Sequence, residues 1–390
     1  MRRRILGRVL CAVVVASTVA VTGAVSATGA SGRTAANRRT VTPAKPVPPF
    51  KPGFFGMSMG GDLIQLTDAK FDTEMNTMKK MGVHWVRASI PWGLVHHDSP
   101  TDQQWILVDR LVETVQAEGM QLIGIIDNPP LWAEASPPPV PGCSTPPPFD
   151  LQAYAGFAAE VAARYTSSAL SVIEVENSPN LTGVWPAPDP CDYAKLMKLT
   201  YPAIKAVDPG ILVLNGGVGG TKSKGANIDG AKWVTALYTN GAGGTFDALS
   251  YHPYSYPCVP STGCPTRTWG TLAQVRQTMT QNGDGAKQIW ATEFGAPTSG
   301  VAGDGHVDEA TQSQIMVDAM QQWVTFSYGG PFCVYEFRDF GTNPVDKSDW
   351  FGIVSNDLRH KKPAFFAYQY FATGKGTPPA GVGAAVTRGS

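Results

Sequence analysis

The chain has 390 residues, with 31 basic and 31 acidic side chains and no formal net charge. That balance, with no basic stripe, argues against a nucleic-acid partner. Beyond the first apolar run, no other is long enough to cross a bilayer.

Residues 1–30 read as a secretory signal peptide. Met1-Arg2-Arg3-Arg4 is basic, residues 5–25 are apolar with small residues, and Ser26-Ala27 and Gly29-Ala30 offer small-residue cleavage sites. The competing reading is an uncleaved membrane anchor, but the apolar run is near the lower length limit for a span. Arg2-Arg3-Arg4-Ile5-Leu6 also bears a weak likeness to a twin-arginine export signal. Residues 31–51, rich in Pro, Ala, Thr and basic side chains, read as an exposed linker. Removal of the leader leaves roughly 350 residues, large for one domain but ordinary for an elaborated α/β barrel. The single domain is expected over 52–375, with 376–390 as a flexible tail. The expected location is outside the cell, in solution or on the cell wall.

Eight apolar runs read as buried parallel strands: 54–58, 85–89, 121–127, 172–177, 211–215, 248–252, 288–293 and 332–337. Amphipathic segments suited to helices lie between them, at 68–81, 104–118, 151–165, 192–206, 232–239, 272–281 and 309–326. Strands alternating with helices imply a parallel sheet closed into a (β/α)8 TIM barrel. An open doubly wound sheet is the alternative, disfavoured because no Gly-rich phosphate turn follows the first strand.

Cys11 departs with the leader, leaving Cys143, Cys191, Cys258, Cys264 and Cys333. Export favours disulfides. Cys258 and Cys264 bracket a Pro/Gly-rich loop and form the best pair; Cys143 and Cys191, in loops after consecutive strands, are a second. Cys333 lies in an apolar strand and reads as a buried free thiol. No Cys or His cluster has ligand spacing, so neither a metal nor another cofactor is expected.

Polar and aromatic punctuation follows each strand: Asn128-Pro129-Pro130, Asn177-Ser178-Pro179-Asn180, His252-Pro253-Tyr254 and Glu293-Phe294-Gly295. In a barrel these positions form the C-terminal rim, where active sites lie. Trp132, Trp185 and Trp350 follow strands three, four and eight. They are candidate stacking platforms for pyranose faces, with plain packing as the alternative for each.

Five segments in this order carry a family resemblance. They are Gly82-Val83-His84-Trp85-Val86-Arg87, Glu174-Val175-Glu176-Asn177-Ser178-Pro179-Asn180-Leu181, Ser250-Tyr251-His252-Pro253-Tyr254, Trp290-Ala291-Thr292-Glu293-Phe294-Gly295, and Phe351-Gly352-Ile353-Val354 followed by Lys362-Pro363-Ala364. The chain resembles the retaining (β/α)8 glycoside hydrolases, closest to the family 39 and family 5 (cellulase-like) type of secreted bacterial glycosidases. The resemblance covers about residues 50 to 375. It implies hydrolysis of a β-linked oligo- or polysaccharide by a monomeric catabolic enzyme. Glu293 resembles the nucleophile that forms the glycosyl-enzyme. Asn177 resembles the residue that hydrogen-bonds the sugar 2-hydroxyl, and Arg87 stands where an arginine holds the nucleophile as its carboxylate. His252 and Tyr254 resemble the pair that orients nucleophile and sugar; a satisfied His and a packed Tyr in the barrel mouth are the alternative.

Ser178 departs from the pattern, because the family carries its acid/base Glu there. A serine hydroxyl is far too weak an acid to protonate a glycosidic oxygen at neutral pH. Four explanations stand: an introduced substitution, a carbohydrate-binding pseudoenzyme, substrates whose leaving groups need no acid, or another carboxylate. Glu176 is the sequence candidate for the last. Strand alternation puts Glu174, Glu176 and Ser178 on one face, all pointing into the barrel. Glu176 then lies about 6–7 Å deeper than Ser178, and its other reading is a structural carboxylate bonded to Arg87 or His252.

Overall fold

The computed structural model describes residues 53–220 and 223–379. The expected leader and linker, and residues 380–390 of the expected tail, lie outside the described residues. The eight strands are β1 (Phe55–Ser58), β2 (Trp85–Pro91), β3 (Gln121–Asp127), β4 (Leu170–Asn177), β5 (Leu212–Gly217), β6 (Leu249–Tyr251), β7 (Ile289–Phe294) and β8 (Gly329–Tyr335). Every adjacent pair is parallel, in the order β5-β4-β3-β2-β1-β8-β7-β6. Parallel bridges Leu214–Ala248 and Val218–Tyr251 join β5 to β6 and close the ring. The expected strands all form, shifted by up to three residues at their ends. The open-sheet alternative is excluded by that closure.

Eight helices wrap the barrel: α1 (Asp68–Lys80), α2 (Ile106–Ala117), α3 (Leu151–Arg164), α4 (Pro190–Val207), α5 (Gly230–Thr239), α6 (Leu272–Gln281), α7 (Glu309–Trp323) and α8 (Pro363–Thr373). Local chemistry sets their ends. Asp150, Asp189, Asp229 and Asp308 cap α3, α4, α5 and α7 by accepting backbone N–H groups. Only α8 is missing from the sequence-based helices. Its residues are apolar nearly all round, with Ala364, Phe365, Ala367, Tyr368, Tyr370 and Phe371 buried, so no amphipathic period marks it. Among the described residues no helix is long and apolar enough to cross a membrane.

Inside the barrel, Ile123, Val172, Leu214, Ala248, Trp290 and Cys333 pack as one apolar layer, with Trp85 against it. This layer is the floor. One pleat above it the interior turns polar, which is where a site can be built. Cys333 is free and buried, and burial pushes its thiol up to about 12, so it belongs to the floor and not to chemistry.

Both expected disulfides are formed, Cys143–Cys191 and Cys258–Cys264. Cys191 lies in the first turn of α4 and not in a loop as expected. The sequence separations are 48 and 6 residues. Loop-closure entropy predicts that losing the longer bridge costs about 4 kcal/mol and the shorter about 2. Urea unfolding of Cys143→Ala/Cys191→Ala and Cys258→Ala/Cys264→Ala, each against the parent, checks this; the reverse order of midpoints would contradict it.

Candidate active site

Arg87 organises the barrel mouth. It stands on β2 with 1% of its surface exposed. Its Nε and Nη2 donate to the two oxygens of Glu174 on β4, at 2.7 and 3.1 Å. Nη2 also donates to Asn177 Oδ1 at 2.8 Å. Nη1 donates to Ser58 Oγ at 2.9 Å and to Glu293 Oε1 at 2.8 Å. One planar fork thus ties β1, β2, β4 and β7, which the five fixed donors of a guanidinium allow and an ammonium does not. Burial alone would lower the Arg87 pKa; the carboxylates of Glu174 and Glu293 outweigh that and raise it.

Glu174 is satisfied on every side. Its Oε1 also accepts from Gly217 N at 2.7 Å and from Ser250 Oγ at 2.8 Å. It is fully buried and serves as the fixed counter-charge of Arg87. Glu293, at the end of β7, keeps 9% of its surface exposed. Its Oε2 accepts from Tyr254 OH at 2.9 Å. His252 Nδ1 lies 3.4 Å from the same oxygen. Burial, helped by Arg87, lowers the His252 pKa to about 3. The ring is therefore neutral, and its contact with Glu293 is polar and not an ion pair. Gly217 makes room for it: a Cβ there would stand 2.0 Å from His252 Nε2. Burial and the Glu293 charge push the Tyr254 phenol far up, so it stays a hydrogen-bond donor.

The backbone of β4 corrects one expectation. Glu176 takes a left-handed conformation, φ 65°, and its rung to β5 is lost: Val175 pairs with Asn215 and Asn177 with Gly217. A non-glycine residue held there costs about 1–3 kcal/mol. The interruption breaks the alternation, so Glu174 and Asn177, three residues apart, both reach Arg87. Glu176 is bonded to neither Arg87 nor His252. Its carboxyl accepts from the Asn177 backbone and is influenced by Asp127 and Glu134. Its Oε1 has no hydrogen-bond partner and is buried. Burial, then Asp127, drive its pKa well above the ordinary carboxyl value. Ser178 is also left-handed, φ 48°, and its N–H donates to Gly217 O at 2.9 Å. It keeps 6% exposure. Asn180 is a strut, its amide nitrogen donating to Gly219 O and Ile228 O at 2.7 Å each.

The three tryptophans separate. Trp185 is 1% exposed and packs edge-on against Phe149 and Tyr193. It is core, and the expectation of a stacking face there is corrected. Trp132 is half-buried, edge-on to Trp92, with its Nε1 donating to His96 O at 2.9 Å. Trp350 is half-buried and donates to Asn343 O at 2.7 Å. Both keep an exposed part at the rim.

Two carboxylates escaped the sequence reading. Asp127 ends β3, half-buried, and its Oδ1 accepts from Ser89 Oγ and from Asn128 Nδ2. Glu336 follows β8, 2% exposed, with Oε1 unpaired. Burial drives its pKa well up, with Asp62, Asp339 and Glu293 adding to this and Arg338 opposing it. Gly60 accommodates it, since a Cβ there would approach Glu336 Oε2 to 2.5 Å. The acidic strand ends were visible, but nothing local distinguishes an inward rim carboxylate from a surface one. Among the described residues no group of three or more His, Cys, Asp or Glu could hold a metal ion.

No protein-family model and no curated protein sequence matches the chain. Solved structures do. A family 39 glycoside hydrolase from Bacteroides cellulosilyticus WH2 superposes with a TM-score of 0.63 at 21% identity, covering 84% of this chain and 65% of that one. A monomeric β-xylosidase from Caulobacter crescentus CB15 gives 0.63 at 20% identity, over 84% of this chain and 70% of that one. Xylanase 10B from Thermotoga maritima gives 0.56 at 13% identity, over 82% and 94%. The chain therefore spans about two thirds of the length of the family 39 protein, and it has the (β/α)8 barrel found in these glycoside hydrolases.

Proposed function

We propose that this chain is a secreted glycoside hydrolase that cleaves a β-linked oligo- or polysaccharide with retention of configuration, with Glu293 as nucleophile. The observation that carries the reading is the holding of Glu293. Arg87 fixes Oε1, Tyr254 fixes Oε2, and the carboxylate sits at the C-terminal rim above a sealed floor. A carboxylate so oriented can attack an anomeric carbon to form a glycosyl ester. Asn177 turns inward beside Arg87, and in this reading its amide bonds the sugar hydroxyl next to that carbon. Trp132 and Trp350 are the remaining candidates for a stacking face. The two disulfides favour an oxidising, extracellular setting. Two of the neighbours named above are a β-xylosidase and a xylanase, so β-xylosides are the first substrates to try.

Ser178 favours a second reading, a carbohydrate-binding pseudoenzyme on the same scaffold. One experiment separates them. The protein is incubated with 2,4-dinitrophenyl β-xyloside, β-glucoside and β-galactoside, and separately with their 2-deoxy-2-fluoro analogues. The hydrolase reading expects turnover of at least one substrate with retained stereochemistry, and a mass increment on the peptide carrying Glu293. Binding without turnover of any of them would establish the second reading; an inverted product would remove the nucleophile.

A further inference from the structure

We propose that Asp127, at the end of β3, delivers the proton that Ser178 cannot, acting as general acid and then general base beside Glu293. This rests on the retaining reading above.

The placement comes from β2. Arg87 and Ser89 are one pleat apart on the same face, a rise of about 6–7 Å. Arg87 holds Glu293, and Ser89 holds Asp127. The two carboxyls are thus each held by an inward residue of one strand, at the C-terminal mouth of the barrel. β3 is also the strand beside β4, where the family acid stands; Ile126 pairs with Val175, which brings Asp127 alongside Glu176. Asp127 is half-buried, whereas Glu176 is 2% exposed. Of the two, only Asp127 keeps appreciable exposed surface at the C-terminal end of its strand.

The surroundings suit a proton donor. Asp127 is faced by Arg87 on β2, Glu174 and Glu176 on β4, and Tyr154 on α3. Glu134, on the single turn Leu131–Glu134, completes the group through Glu176. Burial chiefly, with Glu174 adding, pushes the Asp127 carboxyl up to about 6, against hydrogen bonds from Ser89 and Asn128 and the charge of Arg87. A working acid needs a value near the operating pH. Independently of that value, Glu176, whose buried Oε1 has no hydrogen-bond partner, is one of the carboxyl groups beside Asp127.

The steps balance. In glycosylation the Glu293 carboxylate bonds to the anomeric carbon, the bond from that carbon to the leaving oxygen breaks, and protonated Asp127 gives its proton to that oxygen. In deglycosylation the Asp127 carboxylate takes a proton from water as the water oxygen bonds to the carbon. The ester bond breaks, and Glu293 leaves as a carboxylate.

The test compares the parent and Asp127→Asn with phenyl and 2,4-dinitrophenyl β-xylosides. For the parent, kcat/KM on the phenyl substrate should fall as pH rises through about 6, because the acid must be protonated. In Asp127→Asn that limb should vanish, and kcat/KM on the phenyl substrate should drop by about 100-fold or more. The loss on the dinitrophenyl substrate, which departs without a proton, should be at least tenfold smaller, a margin set by the general-acid contribution. Azide should then speed its turnover and yield a xylosyl azide of retained configuration. Equal losses on both substrates with the pH limb intact, or no loss, overturn the proposal and leave the retaining reading standing. No turnover of either substrate by the parent, with none of the other aryl glycosides cleaved, overturns both. If Asp127→Asn does not fold, Asp127→Glu serves: the limb should move, and an unmoved limb overturns the assignment.

Discussion

Glu293→Gln is expected to abolish turnover of activated aryl β-glycosides, by roughly 10,000-fold or more, the scale on which removal of a covalent nucleophile is felt. The fold should survive. A glutamine oxygen can still accept from Arg87 Nη1, and Arg87 retains Glu174 as its counter-charge through two hydrogen bonds. Circular dichroism and the melting temperature should therefore stay close to the parent's. A shorter variant sharpens the result. Glu293→Ala opens space beneath the anomeric carbon, and azide entering from that side should give a glycosyl azide of inverted configuration. The Asp127 variant should give the retained product with the same reagent. The two stereochemical outcomes identify which face each carboxyl occupies. Undiminished turnover by correctly folded Glu293→Gln would end the nucleophile assignment.

Arg87→Met is expected to cost about 3–5 kcal/mol, the usual penalty for stranding a buried charge by removing its partner. The reason lies with Glu174, which is fully buried and would lose two charge-assisted bonds. Glu293, Asn177 and Ser58 would lose one each. For a domain of this size the melting temperature should fall by roughly 4–7 °C. Activity should fall further than stability alone explains, because Glu293 loses its Oε1 anchor. Arg87→Lys should recover part of the stability and little of the activity, since three donors on a point charge cannot span four strands. The double variant Arg87→Met/Glu174→Leu distinguishes a stranded charge from lost packing. If charge is the cause, it should melt above Arg87→Met. If the single variant melts with the parent, Arg87 is not the centre of the site.

Much of this protein was legible in its sequence. The strands are rich in Val, Ile, Leu and aromatic residues because both faces of a parallel sheet are covered. The polar residues collect after each strand because a sealed floor leaves only the C-terminal mouth open to function. Those two regularities put Asn177, His252, Tyr254 and Glu293 at one rim without any coordinates, the family resemblance added Arg87, and the cysteine pairing follows from proximity along the chain and between segments that follow neighbouring strands. What only the tertiary structure decided concerns direction. Alternation assigns Glu174, Glu176 and Ser178 to one face, but a left-handed residue at 176 resets the phase so that Asn177 turns inward. That conformation is imposed by contacts from elsewhere: Gly216 leaves room for the carbonyl of Glu176, and Tyr154 on α3 accepts its N–H. Trp185 became core because Phe149 and Tyr193 close over it. Asp127 became a candidate only because Ser89, 38 positions earlier, meets it across the β2–β3 ladder. Periodicity records which face a strand residue prefers. Which carboxylates share a cleft depends on partners tens to hundreds of residues away, and no local pattern carries that information.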